Sequence, residues 1–189
     1  MALHYLGSPY VVTVDTTPRD IYGVASDLEL FVTPPGSTTA SKSTATFAEV
    51  IEDRPANAPA SLTLAADAAV GSVVLSVTTA PHTDMVGRVY AFSDGTDTFY
   101  TRIKSVDTTA NTITLTKPLP FALPASGSTI SYYGGTGVYT ASVNLATLGQ
   151  YVLHVRAPSV GLRVGAQSVT VVEEPAGGTA SEPYARIVG

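Results

Sequence analysis

The chain has 189 residues, no cysteine, and 15 acidic against 10 basic side chains, a formal charge of −5. The absence of cysteine removes disulfides, thiolate nucleophiles and cysteine-held metals together, and the scattered Lys and Arg make no basic stripe that could neutralise phosphates, so no direct nucleic-acid binding is expected. No run reaches the ~20 apolar residues of a membrane-spanning helix, and residues 1–14 lack the basic start of a signal peptide, so no membrane partner is expected either.

Charged residues make up 13% of the chain, about half the usual share for a soluble domain. Thr, Ser, Ala, Val and Gly fill the deficit, which favours strands and turns over helices. Surfaces this poor in charge also occur where neighbours cover them, a hint of assembly.

In chain order, residues 1–9 read as a short lead containing His4 and Tyr5. Residues 10–14 (Tyr-Val-Val-Thr-Val) predict a strand, and 15–20 a turn around Pro18. Residues 21–24 begin either a strand or a loop. Residues 27–33 predict a strand with Leu28, Leu30 and Val32 on one face and Asp27, Glu29 and Phe31 on the other. Pro34-Pro35 ends it, because proline cannot donate to a ladder. Residues 37–43 read as a mobile loop and 44–51 as a strand, although Phe47 and Ile51 also suit a helical turn. Residues 52–59 carry two prolines among charged residues, a stiff linker and the first domain boundary.

A compact run of short strands follows over 61–133. Strands are predicted around Leu62-Thr63-Leu64, over 73–77, and on either side of Asp94-Gly95, whose glycine supplies the positive φ of a tight hairpin turn. A second hairpin pairs 102–106 with 112–116 across Asp107 and Asn111, which tolerate left-handed backbone. A loop at 118–127 leads to a closing strand at 129–133. Five or six short strands in this length suit a small barrel. The glycines of 134–137 mark a flexible second boundary. Strands then resume at 138–143, at 150–156, and around 168–172. The residues alone therefore predict an all-β chain: a discontinuous sandwich over 1–59 and 134–174, an inserted barrel-like domain over 60–133, and a flexible tail over 175–189 whose apolar end could dock on a neighbour.

Little in the sequence points to chemistry. His82 and Asp84 could touch a metal, but a third ligand is missing and a solvated loop is the commoner reading. Asp94, Asp97 and Asp107 have acidic spacing without the further carboxylates of a calcium loop. Glu52-Asp53 and Glu173-Glu174 are paired carboxylates at domain edges, where solvated charge is normal. His154 falls on the polar side of its strand. No Gly-x-Ser-x-Gly elbow occurs, and the 134–137 glycines precede neither a helix nor a phosphate-binding Lys. No catalytic, metal or cofactor site is expected, and the chain is not read as an enzyme. The tyrosines Tyr132, Tyr133 and Tyr139 cluster near one boundary and serve either core packing or an interface; with Tyr184 and Ile187 of the tail they are the candidate interface residues.

The outer halves carry a strand with a Pro-Pro-Gly turn (Asp27-Leu28-Glu29-Leu30-Phe31-Val32-Thr33-Pro34-Pro35-Gly36-Ser37), then Gly137-Val138-Tyr139-Thr140-Ala141-Ser142-Val143. Gly149-Gln150-Tyr151-Val152-Leu153-His154-Val155-Arg156 and Val169-Thr170-Val171-Val172 follow. This pattern resembles the immunoglobulin-like β-sandwich of tailed-bacteriophage virion proteins. The insert, through 62–71, Gly87-Arg88-Val89-Tyr90 and 111–116, is similar to another phage module. The cysteine pair and tryptophan of antibody domains are absent. The resemblance implies a structural virion subunit assembled in the host cytoplasm, most naturally a neck protein (head–tail connector, stopper or head-completion type). Such a subunit would form a homo-oligomeric ring and join other virion proteins. Capsid decoration, a tail or baseplate role, and a carbohydrate-binding module with the tyrosine cluster as platform are the alternatives.

Overall fold

A computed structural model of the chain describes residues 2–173 and the backbone of 185–188. The fold is all-β; the helical pieces among the described residues are four single 3-10 turns. Contacts divide the chain into two units, the first made of Met1–Arg19, Gly23–Val50 and Gly137–Gly189, the second of Asp20–Tyr22 and Ile51–Thr136.

Five strands precede the main part of the second unit: β1 (Ala2–Tyr5), β2 (Pro9–Asp15), β3 (Glu29–Thr33), β4 (Ser41–Lys42) and β5 (Ala48–Ile51). Six follow inside it: β6 (Ser61–Leu62), β7 (Val74–Ser76), β8 (Val89–Ser93), β9 (Thr98–Asp107), β10 (Thr112–Leu115) and β11 (Thr129–Tyr132). The chain then returns through β12 (Gly135–Asn144), β13 (Gly149–Ala157), β14 (Leu162–Arg163), β15 (Gln167–Val172) and β16 (Ala185–Val188).

The first unit has two sheets. One runs β1-β15-β13-β3-β4, with β14 added beside β13; the other runs β16-β2-β12-β5. Each buries one face, as the period-2 alternation requires. Val12, Val14, Tyr139 and Ala141 are core residues of one sheet, and Leu30, Leu153, Val155 and Val169 of the other. The start of β13 is fixed locally. Thr147 N donates to Tyr151 Oη at 3.0 Å, and Thr147 Oγ1 lies 2.5 Å from the same oxygen. Between them Gly149 turns the chain at φ +122, where a Cβ would meet Pro35 Cβ at 2.9 Å.

The second unit is one antiparallel sheet, β6-β11-β8-β9-β10-β7. Its two ends meet again: Leu64 bridges Val77, Ala65 N donates to Ser76 O, and Thr78 N donates to Thr63 O, each bond 2.9 Å. The sheet is thereby curled into a half-barrel around Leu75, Met85, Phe92, Ile103, Ile113 and Ile130. The 118–127 loop contributes Leu119 and Leu123 to the same core.

Several expectations differ from what is seen. The lead at 1–9 contains a strand, β1, paired in parallel with β15 from Ala2↔Val169 to Tyr5↔Val172; its burial pattern is too short to show periodicity. Residues 44–47 lie outside any ladder, and β5 begins at Ala48. The insert was expected over 60–133; the main segment of the second unit runs over Ile51–Thr136, with Asp20–Tyr22 added to it, because its packing reaches back over the prolines. Ala58 is fully buried in its core, Tyr90 Oη donates to Pro59 O at 2.9 Å, and Tyr132 Oη lies 3.1 Å from the carbonyls of Glu52 and Asp53. The glycines of 134–137, expected as a loose exit, are tied down: β12 starts at Gly135, and Gly137 N donates to Glu49 Oε1 at 2.9 Å. Their glycine identity serves positive φ at Gly134 and Gly137 rather than mobility. Of the tail expected to be flexible over 175–189, only 185–188 is described, and it forms β16 in parallel with β2. The open edge of β2 offers it unpaired backbone groups.

Candidate interaction surface

The outward side of the β4-β3-β13 region gathers the polar and aromatic residues that alternate with the core. Register places His154 opposite Phe31 and Arg156 opposite Glu29. The Phe31 and His154 rings stack at 4.9 Å between centroids and 7° between planes, and the Arg156 guanidinium carbon sits 4.5 Å from the Phe31 centroid. Glu29 accepts from Lys42 Nζ and from Arg156 Nε, each at 2.6 Å. The Lys42 bond, then the Arg156 bond, holds the Glu29 carboxyl below the ordinary range. Arg163 stands opposite Arg156 across β14. Beside this patch, an open groove of about 730 Å³ is lined by Ala25, Leu28, Lys42, Thr44, Ala45 and Phe47 among others.

The sheet edges expose apolar side chains. Leu3 of β1 is 60% exposed, and Val50 and Ile51 of β5 are 43% and 53% exposed. Open edges with apolar residues are the feature most open to pairing with another chain.

The candidate interface tyrosines are spread over both units. Tyr139 belongs to the first unit's core, and its hydroxyl accepts from Val24 N at 3.3 Å. Tyr132 and Tyr133 belong to the second unit, half-buried. Tyr132 packs edge-on against Tyr90 at 5.5 Å, and Tyr133 is tilted against Tyr100 at 4.4 Å. Tyr184 lies outside the described residues. Ile187 pairs by its backbone with Val14 in β16.

The acidic and histidine residues weighed for metals have local structural roles. His82 caps the 3-10 turn at Thr83–Met85, its Nδ1 accepting from Asp84 N at 3.1 Å. Asp94 accepts from Thr96 N and Asp97 N at 2.8 Å each, and these backbone bonds, that from Asp97 first, hold its carboxyl low. Asp107 caps the next hairpin through Thr109 N and Ala110 N. Glu52 pairs with Arg88. Glu173 is exposed, and Glu174 lies outside the described residues. Among the described residues no group of three or more His, Asp or Glu is placed to hold a metal, and no helix is long and apolar enough to cross a membrane.

Sequence reasoning missed one partly buried polar cluster, built around Tyr22 in the second unit. Tyr22 donates to the Asp20 carboxylate and accepts from Arg102; Thr116 Oγ1 reaches Asp20 Oδ2 at 2.9 Å, and Lys117 Nζ reaches Asp20 O at 2.6 Å. Asp20 takes φ +54 to do this. Asp20 and Tyr22 lie 80 to 97 positions from their partners Arg102, Thr116 and Lys117, so no local pattern announces the cluster.

No protein-family model matches the chain, and no curated protein matches it.

Proposed function

We propose that the chain is a structural subunit of a tailed-phage virion, placed at the neck as a ring-forming connector, stopper or head-completion protein and joined there to other virion proteins. Strand order carries the reading. The sheet orders β3-β13-β15 and β2-β12-β5 are the orders of strands C-F-G and B-E-D in an immunoglobulin-like sandwich, which supports that reading. The hydroxyl of Tyr151, near the start of the F-like strand, bonds back to Thr147 in the manner of that fold's tyrosine corner. The main segment of the second unit, Ile51–Thr136, read as a small barrel, enters between the D-like and E-like strands. Both features fall on the stretches whose sequence resembles phage virion proteins.

Assembly is supported by the edges. Short outer strands with exposed Leu3, Val50 and Ile51 can accept or donate a strand, which is a backbone-driven route to multimers. The test is a tagged copy expressed during phage infection, followed by mass-spectrometric copy number and a map of purified particles. About a dozen copies or fewer at the head–tail junction is the expected result. Hundreds of copies would move the subunit to the capsid surface, and absence from particles would end the virion reading.

A further inference from the structure

The last strand, β16, occupies a peculiar place. An immunoglobulin-like sandwich fills the position beside its B strand with its own first strand, antiparallel. Here the first strand, β1, lies beside β15 in the other sheet. The vacated edge of β2 is covered instead by β16, in parallel, from Ala185↔Val12 to Val188↔Asp15. Only four residue pairs hold it, at a sheet edge.

The chain leading to β16 is longer than this placement needs. Val172 is paired with Tyr5, and Ala185 with Val12. Tyr5 and Val12 are seven residues apart along the chain, so at most about 25 Å separates them. The 13 residue steps from Val172 to Ala185 can span about 45 Å. That stretch reads Glu-Glu-Pro-Ala-Gly-Gly-Thr-Ala-Ser-Glu-Pro-Tyr over 173–184. Its two prolines cannot donate to a ladder, and its glycines carry no side chain to pack. With about 5 Å added for each of the two strand pairs, its length leaves at least about 10 Å of reach beyond the chain's own β2.

We propose that the β2 edge is a strand-acceptor site whose occupant in the assembled protein is β16 of a second copy. Exchange keeps every backbone bond of the β2–β16 ladder and changes only which chain supplies it, the low-cost route to an oligomer. Because each copy then gives one strand and receives one, the exchange closes either as a reciprocal two-fold dimer or, when the rotation permits, as a head-to-tail ring. The inference concerns copies of this chain alone and holds whether or not they belong to a virion.

The chain has no cysteine, which makes the test direct. Thr13 and Arg186 are register partners. Full-length T13C and R186C chains, one of them isotope-labelled, are mixed from 10 µM to about 1 mM, treated with a short bis-maleimide, and analysed by mass spectrometry. Exchange predicts a covalent mixed dimer linked 13–186, growing with concentration and absent when either variant is treated alone. A T13C/R186C double variant that links only within one chain, together with no mixed dimer at any concentration, overturns the proposal.

Discussion

Phe31 and His154 face each other across the β3–β13 pair with their rings 7° from parallel. Both belong to the outward side of a sheet whose inward side is Leu30, Leu153 and Val155. The stack is therefore a surface feature that ties two neighbouring strands together, not a core contact. Cross-strand aromatic pairs contribute ~0.5–1 kcal/mol. His154→Ala should lower stability by about that amount, read as a reduced urea midpoint at unchanged slope. A loss above about 3 kcal/mol would point to a core role instead.

Glu29 links this patch to pH. Its folded-state carboxyl lies below its unfolded value, first through Lys42 and then through Arg156. Its stabilisation is therefore present above the unfolded carboxylate range and is lost as pH falls through the folded value. Melting temperature should drop between about pH 5 and pH 3. Glu29→Gln should be less stable than the parent at pH 7, with the gap closing as acid is added. A gap that stays constant down to pH 3 would contradict the assignment.

The alkaline side has the opposite sign. Burial pushes the hydroxyls of Tyr10, Tyr22 and Tyr90 up to about 12, with the Asp20 bond adding to the effect at Tyr22. A raised folded value gives stability that is intact below pH 10 and lost as pH climbs toward 12. Ultraviolet titration of the ten tyrosines should show a group ionising above the ordinary range, together with unfolding. Ten groups ionising together near pH 10 while the sheet signal persists would refute this.

Tyr151→Phe removes one hydroxyl and leaves Thr147 N without its side-chain acceptor. The expected loss is ~1–2 kcal/mol, measured by chemical denaturation. Thr147→Ala should cost less, since the backbone bond remains.

Two glycines with similar φ should respond differently. At Gly95 (φ +94) an added Cβ meets nothing within 4 Å, so Gly95→Ala carries only the backbone penalty, ~1 kcal/mol. At Gly134 (φ +73) it would lie 2.6 Å from the Glu52 carbonyl and 2.7 Å from the Tyr132 ring. Gly134→Ala should cost at least ~1 kcal/mol more than Gly95→Ala. Equal losses would mean that Glu52 can move aside freely.

What the sequence made legible is what local rules govern. Alternation placed Leu28, just before β3, and Leu30 inward and Phe31 outward, and Asp94-Gly95 and Asn111 marked hairpins whose left-handed backbone is present at Gly95 and Asn111. Short strands were hidden for the same reason: β1 spans four residues and β4 two, too few to show a period. Residues 44–47 alternate like a strand but do not pair as one, because ladder partners are a tertiary property. The candidate surface was only half visible. His154 could be assigned to the polar side, but its stack on Phe31 depends on register between segments more than 120 residues apart, and the Asp20–Tyr22–Arg102 cluster depends on similar long-range placement.

The bond from Glu52 N to Gly134 O, 2.8 Å long, joins the two ends of the second unit's main segment. Its consequence is kinetic. β5 and β12 are neighbours in one sheet, yet more than 80 residues lie between them. Left as coil, that stretch would charge the first unit a loop-closure cost of several kcal/mol. Once folded with its ends stapled, it presents β5 and β12 to each other as a short hairpin would. The expected outcome is that substitutions in the Phe92–Ile103–Ile130 core slow β2–β12 pairing without touching it, which pulse-labelled hydrogen exchange at Val12 and Ala141 would detect; unchanged protection rates there would contradict it.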